Sequence, residues 1–356
     1  MVPYTAYRLS LCTTLTEEEQ LWASFQPFLE EQGYMLRPRY KPGWIAACIS
    51  AKGEDTSRFE DSIPVWGAVL NAKRMSDGAD VVLKIVQTTS MEVSIATFLT
   101  NCPGAEKHTL PCLDLVPMPG DPHKSFMVSP RMRSCTSLFP SIVTARDFHE
   151  FLRQMLEGLV FLHDNNIAHG GIDERHMVLD ASRLIPGGFH FANPSTSDGI
   201  THLLQYTGNQ SAPHYKTRTE AGPMKYYFIG FGGSIQFPSR DARELVTGVC
   251  RGYRRDLIPE TSDTVPYDPF KVDVWSVADV VVGTLKCYSG LDYLVPFVRK
   301  LRHRDPARRP DALNALKLFQ NLVSKITEEA LNQPLDFELH EFETRGTILS
   351  MMGLGV

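Results

Sequence analysis

Apolar positions along the chain fall into short β-like runs and longer helical stripes. Thr16 to Gln32 reads as a helix: Thr16 and Glu19 have capping-box spacing and Gly33 follows the end. Tyr34 to Trp44 is too rich in Pro and Gly for a regular element, and its aromatics predict a segment packed on a surface. Residues 51–61 are polar and predict a loop. Val65–Val69 and Val81–Val86 predict two strands, with the turn signal Met75-Ser-Asp-Gly78 between them. A short helix over Thr89–Thr100 and a strand over Ser125–Ser129 follow.

The second half is more helical. Thr144 and Asp147 form a capping-box variant, opening a helix whose stripe is Phe148, Phe151, Leu152, Met155, Leu156, Leu159 and Val160. A short strand is predicted over His176–Leu179. Residues 181–224 are polar and rich in Gly, Pro, Ser and Thr; a loop this long predicts an insertion or a partly disordered segment. Tyr226 to Gly233 reads as a strand and tight turn, and Val272 to Lys286 as a buried helix. Residues 321–356 read as a helix, a polar stretch and an apolar tail.

Composition narrows the class. The 356 residues are 43% hydrophobic and 22% charged, as in a globular protein. A net charge of −5 gives no overall basic field, so no nucleic-acid partner is expected. The clusters Arg302-His303-Arg304 and Arg308-Arg309 read as a solvated face or internal ion pairs. Seven cysteines stand singly without a CxxC pair, which predicts reduced thiols in an intracellular protein and no zinc site. The N-terminus lacks an apolar signal core, and no apolar run reaches the roughly 18 residues of a membrane span. The longest, Val277–Leu285, is broken by Asp279. No membrane partner is expected; cytoplasm and nucleus both stay open.

Seven pieces, in order, resemble the protein kinase fold. Val81-Val-Leu-Lys84 is similar to the strand carrying the nucleotide-binding lysine, and Glu92 stands like its partner glutamate. Ala168-His-Gly-Gly-Ile-Asp-Glu-Arg-His-Met-Val-Leu-Asp180 resembles the catalytic loop and following strand. Ile229-Gly-Phe-Gly-Gly233 resembles the metal-binding turn, and Ile258-Pro-Glu260 the end of the activation segment. Lys271-Val-Asp-Val-Trp-Ser276 and Arg304-Asp-Pro-Ala-Arg-Arg-Pro310 resemble two landmarks of the large lobe. The aromatic N-terminal stretch and the insertion further resemble kinase-like proteins abundant in mushroom-forming fungi. The resemblance implies an α+β, bilobal protein-kinase-like fold with a small β-rich N-lobe and a larger helical C-lobe. The implied boundaries are an N-terminal extension over 1–61, a kinase-like domain over 62–320 and a tail over 321–356. The domain divides into an N-lobe, 62–132, and a C-lobe, 133–320, with the insertion 181–224.

Phosphoryl transfer needs a phosphate cradle, a charge clamp, metal ions and an oriented nucleophile. Gly67 and Val69 match the end of the glycine-rich cradle, but its two earlier glycines map to Ser62 and Pro64, and proline has no amide hydrogen. Lys84 and Glu92 keep the clamp, and serve equally as a structural ion pair. The metal-ligand positions hold Gly230 and His176, so no metal is expected. The nucleophile-positioning Asp maps to Gly171, the preceding Arg to Gly170, and the lysine facing the transferred phosphate to Asp173. Scaffold residues persist. His169 and Phe231, with Ala96 as a candidate third, match the apolar stack; Val69, Val82 and Val178 match the adenine lining. Glu260 and Arg309 match the activation-segment pair, and Asp273 the residue holding the catalytic-loop backbone. The expectation is a catalytically inactive pseudokinase acting as scaffold or regulator on a protein partner the sequence does not name. Weak, metal-independent ATP binding stays open. The alternative is an active protein kinase of serine/threonine type using Asp173 or Glu174.

Overall fold

A computed structural model describes residues 12–50, 59–65, 67–135, 143–197, 204–207, 210–213, 215–248, 250 and 258–335. Residues 51–58 of the predicted 51–61 loop, parts of the 181–224 segment and the tail from 336 onward lie outside the described residues. By its internal contacts the chain divides into two compact units: residues 1–89, 111–133 and 181–222, and residues 90–110, 134–180 and 223–356. The boundaries drawn from sequence are placed differently: the 1–61 and 321–356 segments are not units of their own. Residues 90–110 fall in the second unit, and the insertion falls in the first.

The first unit is built on a five-stranded antiparallel sheet. Its strands are β1 (Tyr34–Leu36), β2 (Val69–Arg74), β3 (Asp80–Gln87), β4 (Asp114–Pro117) and β5 (Lys124–Pro130), in the order β1-β2-β3-β5-β4. Strand alternation sorts the side chains. Leu70, Ala72, Val81, Leu83, Phe126 and Val128 enter one core, which the helix α1 (Glu17–Glu31) covers with Trp22 and Leu29. Trp22 and Phe25 stack against Phe126 with ring centroids 5.7 and 5.2 Å away. The capping box predicted at Thr16 and Glu19 is present.

Two expectations are corrected here. The strand placed at Val65–Val69 begins at Val69 and runs to Arg74, because the Val65 amide bonds to Glu19 instead of to a neighbouring strand. The 34–44 stretch is not wholly irregular: β1 pairs with β2, Tyr34 opposite Arg74, before a 3₁₀ turn at Pro38–Tyr40. The insertion is partly folded. Leu184 and Ile185 are buried, the His190 ring donates or accepts at Glu60 Oε1 (2.9 Å), and residues 204–207 pair antiparallel with 210–213.

The second unit is mostly helical. Its helices include α2 (Met91–Thr100), α3 (Ala145–Asp164), α4 (Pro269–Cys287), α5 (Val295–Leu301) and α6 (Ala312–Val323). The α3 stripe from Phe148 to Leu159 is buried, and α3 packs on α4 and α6. Helix α4 starts at Pro269, earlier than expected, because Asp268 caps it by accepting from the Phe270 amide. Two short strands, β6 (Met177–Leu179) and β7 (Tyr226–Phe228), pair antiparallel and hold the loops before and after them. Among the described residues no helix is long and apolar enough to cross a membrane.

Candidate functional site

The loop from His169 to His176 is held from below by one buried carboxylate. Asp273, in the second turn of α4, accepts from the amides of His169 (2.7 Å) and Gly170 (2.9 Å), and its Oδ2 lies 3.1 Å from His163 Nε2. His169 is fully enclosed: its Nε2 meets the Ile229 carbonyl at 3.1 Å, and its ring lies 5.2 Å from that of Phe231. Burial pushes the His169 imidazole down to about 4, with Asp273 opposing. Gly170 has φ +68, and a Cβ there would stand 2.1 Å from the Gly233 carbonyl oxygen. Any side chain at this position must displace the following turn. Gly171 is also buried and borders a cavity of about 20 Å³, room for about one water.

Gly230 and His176 prove to be two halves of one packing arrangement. Gly230 sits at φ 79, ψ 56, and a Cβ added there would lie 2.3 Å from His176 Cδ2 and 3.1 Å from its Nε2. The imidazole therefore fills the space a side chain at 230 would enter. His176 Nδ1 lies 3.1 Å from Asp173 Oδ1. The Asp173 carboxylate also accepts from the Arg175 amide (2.8 Å) and the Arg175 guanidinium (2.6 Å). Burial raises its affinity for a proton, but His176 and Arg175 outweigh burial and hold Asp173 well below the usual carboxylate range. Glu174 is half-buried in the 3₁₀ turn Glu174–His176, next to these groups.

This donor set does not fit magnesium. Glycine offers no ligand, imidazole nitrogen is a poor one for this hard cation, and the nearest carboxylate is committed to a guanidinium and a backbone amide. Among the described residues no three His, Cys, Asp or Glu side chains converge as a metal-holding group.

Other predicted residues of this unit lie nearby. Ala96 and Glu92 are buried on α2, which packs on the 231–233 turn; Glu92 Oε2 lies 3.3 Å from where a Cβ on Gly232 would be. Val178 is buried on β6. Arg309 is enclosed and donates to Glu260 through Nη1 and Nη2, with Nη2 to Oε2 at 2.8 Å.

In the first unit the sheet face opposite the core carries Val69, Val82 and Lys84, all half-buried. Val69 pairs with Lys84 across β2 and β3. The segment before β2, where a phosphate cradle would lie, is stitched down instead. The Ser62 amide donates to the Phe59 carbonyl (3.0 Å), the Ile63 amide to the Glu60 carbonyl (3.2 Å), and the Val65 amide to Glu19 Oε1 (3.3 Å). Pro64 has no amide hydrogen. The carbonyls are equally engaged: Arg39 donates to Asp61 (2.7 Å), Arg37 to Glu60 (2.8 Å) and Ile63 (3.0 Å), and Trp22 Nε1 to Gly67 (3.2 Å).

Glu19 is the centre of this stitching, and the sequence suggested only a capping role for it. It has no exposed surface and accepts from Arg39 Nε (2.7 Å), Arg39 Nη2 (2.9 Å) and Tyr40 Oη (3.1 Å). Burial alone would raise its pKa, but the Arg39 guanidinium holds it below the usual range. The signal available in the sequence was Arg37-Pro-Arg39 amid aromatics, since a packed arginine needs acceptors.

No family model matches the chain. Over 198 residues it is 27% identical to serine/threonine-protein kinase atg1 of Neosartorya fischeri, covering 53% of this chain and 19% of that protein. It is 28% identical over 194 residues to the protein of the same name from Penicillium rubens, covering 52% and 18%. With that of Aspergillus fumigatus it shares 27% over 198 residues, covering 53% and 18%. The match thus spans under a fifth of the length of each relative. Together with an antiparallel sheet in one unit and helices in the other, this similarity supports a protein-kinase-like domain of α+β class.

Proposed function

We propose that this chain is a catalytically inactive protein-kinase-like domain that works by binding a protein partner, as scaffold or regulator. The observation that carries the proposal is the His176 ring in the space over Gly230, which leaves the metal-turn position without a ligand and without room for one. The engaged amides of residues 62, 63 and 65 add a second support, because a triphosphate would find no free donors among them.

The relatives are named kinases, and their activity belongs to them. For this chain to transfer phosphate with Asp173 as base, that carboxylate would have to leave Arg175 and His176. Removing one charge-stabilising group alone commonly costs about 10²-fold or more in rate. Here the positions for base, metal ligands and phosphate-facing lysine are all altered.

The test is a thermal-shift titration with ATP, with and without magnesium, beside Lys84→Ala, followed by a radiolabelled phosphorylation assay. A site filled at 100 times its dissociation constant would stabilise by about 2.7 kcal/mol. The proposal expects no magnesium-dependent shift and no incorporation. A shift that needs magnesium, with phosphorylation that Lys84→Ala abolishes, would overturn it. A metal-independent shift without turnover would leave the inactive reading standing and add nucleotide sensing to it.

A further inference from the structure

The basic cluster between α5 and α6 divides into two sets of cations with different surroundings. Arg302 pairs with Asp279 at 2.9 Å, and Arg309 pairs with Glu260; the two guanidinium groups lie 4.9 and 4.6 Å from the Trp275 ring. These are internal and structural. Lys300, Arg304, Arg308 and Lys317 are exposed instead. The two acids of the stretch, Asp305 and Asp311, are exposed, charged carboxylates, but neither lines the groove that Lys300 and Arg308 share. Asp305 accepts from the Ala307 amide (3.0 Å), and Asp311 caps α6 by accepting from the Asn314 amide (2.8 Å).

Lys300, His303, Arg308, Asn314, Pro310 and Leu318 line one open groove of about 520 Å³, together with Arg299 and Arg309. Among the described residues no carboxylate lines it. On a chain of net charge −5 this is a local positive field, concentrated in a concave surface with Pro310 and Leu318 as apolar contacts. Charged walls around a concavity favour an anionic ligand, and the apolar contacts favour one with side chains over a bare ion.

We propose that this groove docks an acidic peptide segment of a partner protein, its carboxylates meeting Lys300 and Arg308 and an apolar side chain resting on Pro310 and Leu318. The site lies apart from the His169–His176 loop and does not depend on whether that loop is catalytic.

The probe is a fluorescein-labelled peptide of alternating glutamate and leucine, titrated with the full chain by anisotropy at 50 and 300 mM salt. Binding is expected at low salt, at least tenfold weaker at high salt, and at least tenfold weaker in Lys300→Glu/Arg308→Glu. Far-UV circular dichroism and the melting temperature serve as controls, since both residues are exposed. An all-serine peptide should not bind, and a glutamate–serine peptide should bind more weakly than the glutamate–leucine one. No low-salt binding, or unchanged affinity in the folded double variant, would overturn the proposal. Tighter binding to anionic phospholipid vesicles or to polyphosphate than to the peptide, lost in the same variant, would also overturn it in favour of a phosphate ligand.

Discussion

Placing an aspartate at position 230 tests the packing at the loop most directly. Gly230→Asp places a Cβ 2.3 Å from His176 Cδ2 at a backbone of φ 79. The left-handed conformation costs an L-residue about 1–2 kcal/mol, less for Asp than for most. Forcing the imidazole aside adds an overpacking cost of about 1–3 kcal/mol. The single variant should therefore lose roughly 2–5 kcal/mol, the sum of those two costs. In a His176→Ala background the ring is gone, so only the backbone cost remains. The double-mutant cycle should show a coupling of about 1–3 kcal/mol in favour of the pair. Urea unfolding of the four proteins, followed by tryptophan fluorescence and circular dichroism, reads it. Coupling below about 0.5 kcal/mol, the scatter expected of independent sites, would refute the claim that Gly230 and His176 depend on each other.

Glu19→Ala leaves Arg39 enclosed without its carboxylate and should cost about 3–5 kcal/mol by chemical denaturation; Glu19→Gln, which keeps an acceptor, should cost less. Gly170→Ala should destabilise more than alanine at the exposed Gly43, because its Cβ meets the Gly233 carbonyl while among the described residues nothing lies within 4 Å of a Cβ on Gly43; equal melting temperatures would count against that contact. Acid should act in two windows. His149 and His169 are held by burial at about 4, below their usual 6.5, so the stability of keeping them neutral is full above pH 6.5 and is lost as pH falls from there towards 4. Glu19, Glu60 and Asp173 are held below their usual values despite burial, so their contribution is present above those values and is lost only at lower pH. A melting temperature flat from pH 7 to 5 would contradict the histidine window.

Much of the fold was legible because it rests on periodicity. The α3 stripe, the capping boxes at Thr16 and Thr144 and the strand around Lys84 all follow from local spacing. The boundaries that failed did so for tertiary reasons. Val65 looks like a strand residue by type, yet a glutamate 46 positions earlier takes its amide. Tyr34–Leu36 lies among prolines and glycines, yet β2 offers it a free edge. The 181–222 segment has little periodicity, yet it belongs to the first unit, where Phe191 and Ala192 pack against the core.

At the candidate site the division is sharper. Residue identity alone told which side chains these positions can present: no sequence with glycine at 171 and 230 has carboxylates there, whatever its fold. Only the tertiary structure decided what occupies the space left behind. His176 fills the room over Gly230, Gly233 closes on Gly170, and Glu19 with Arg39 ties down the segment before β2. Those are contacts between residues far apart in the chain, fixed by close packing and by the need of every buried charge for a partner. Composition and local spacing carry no record of such pairings.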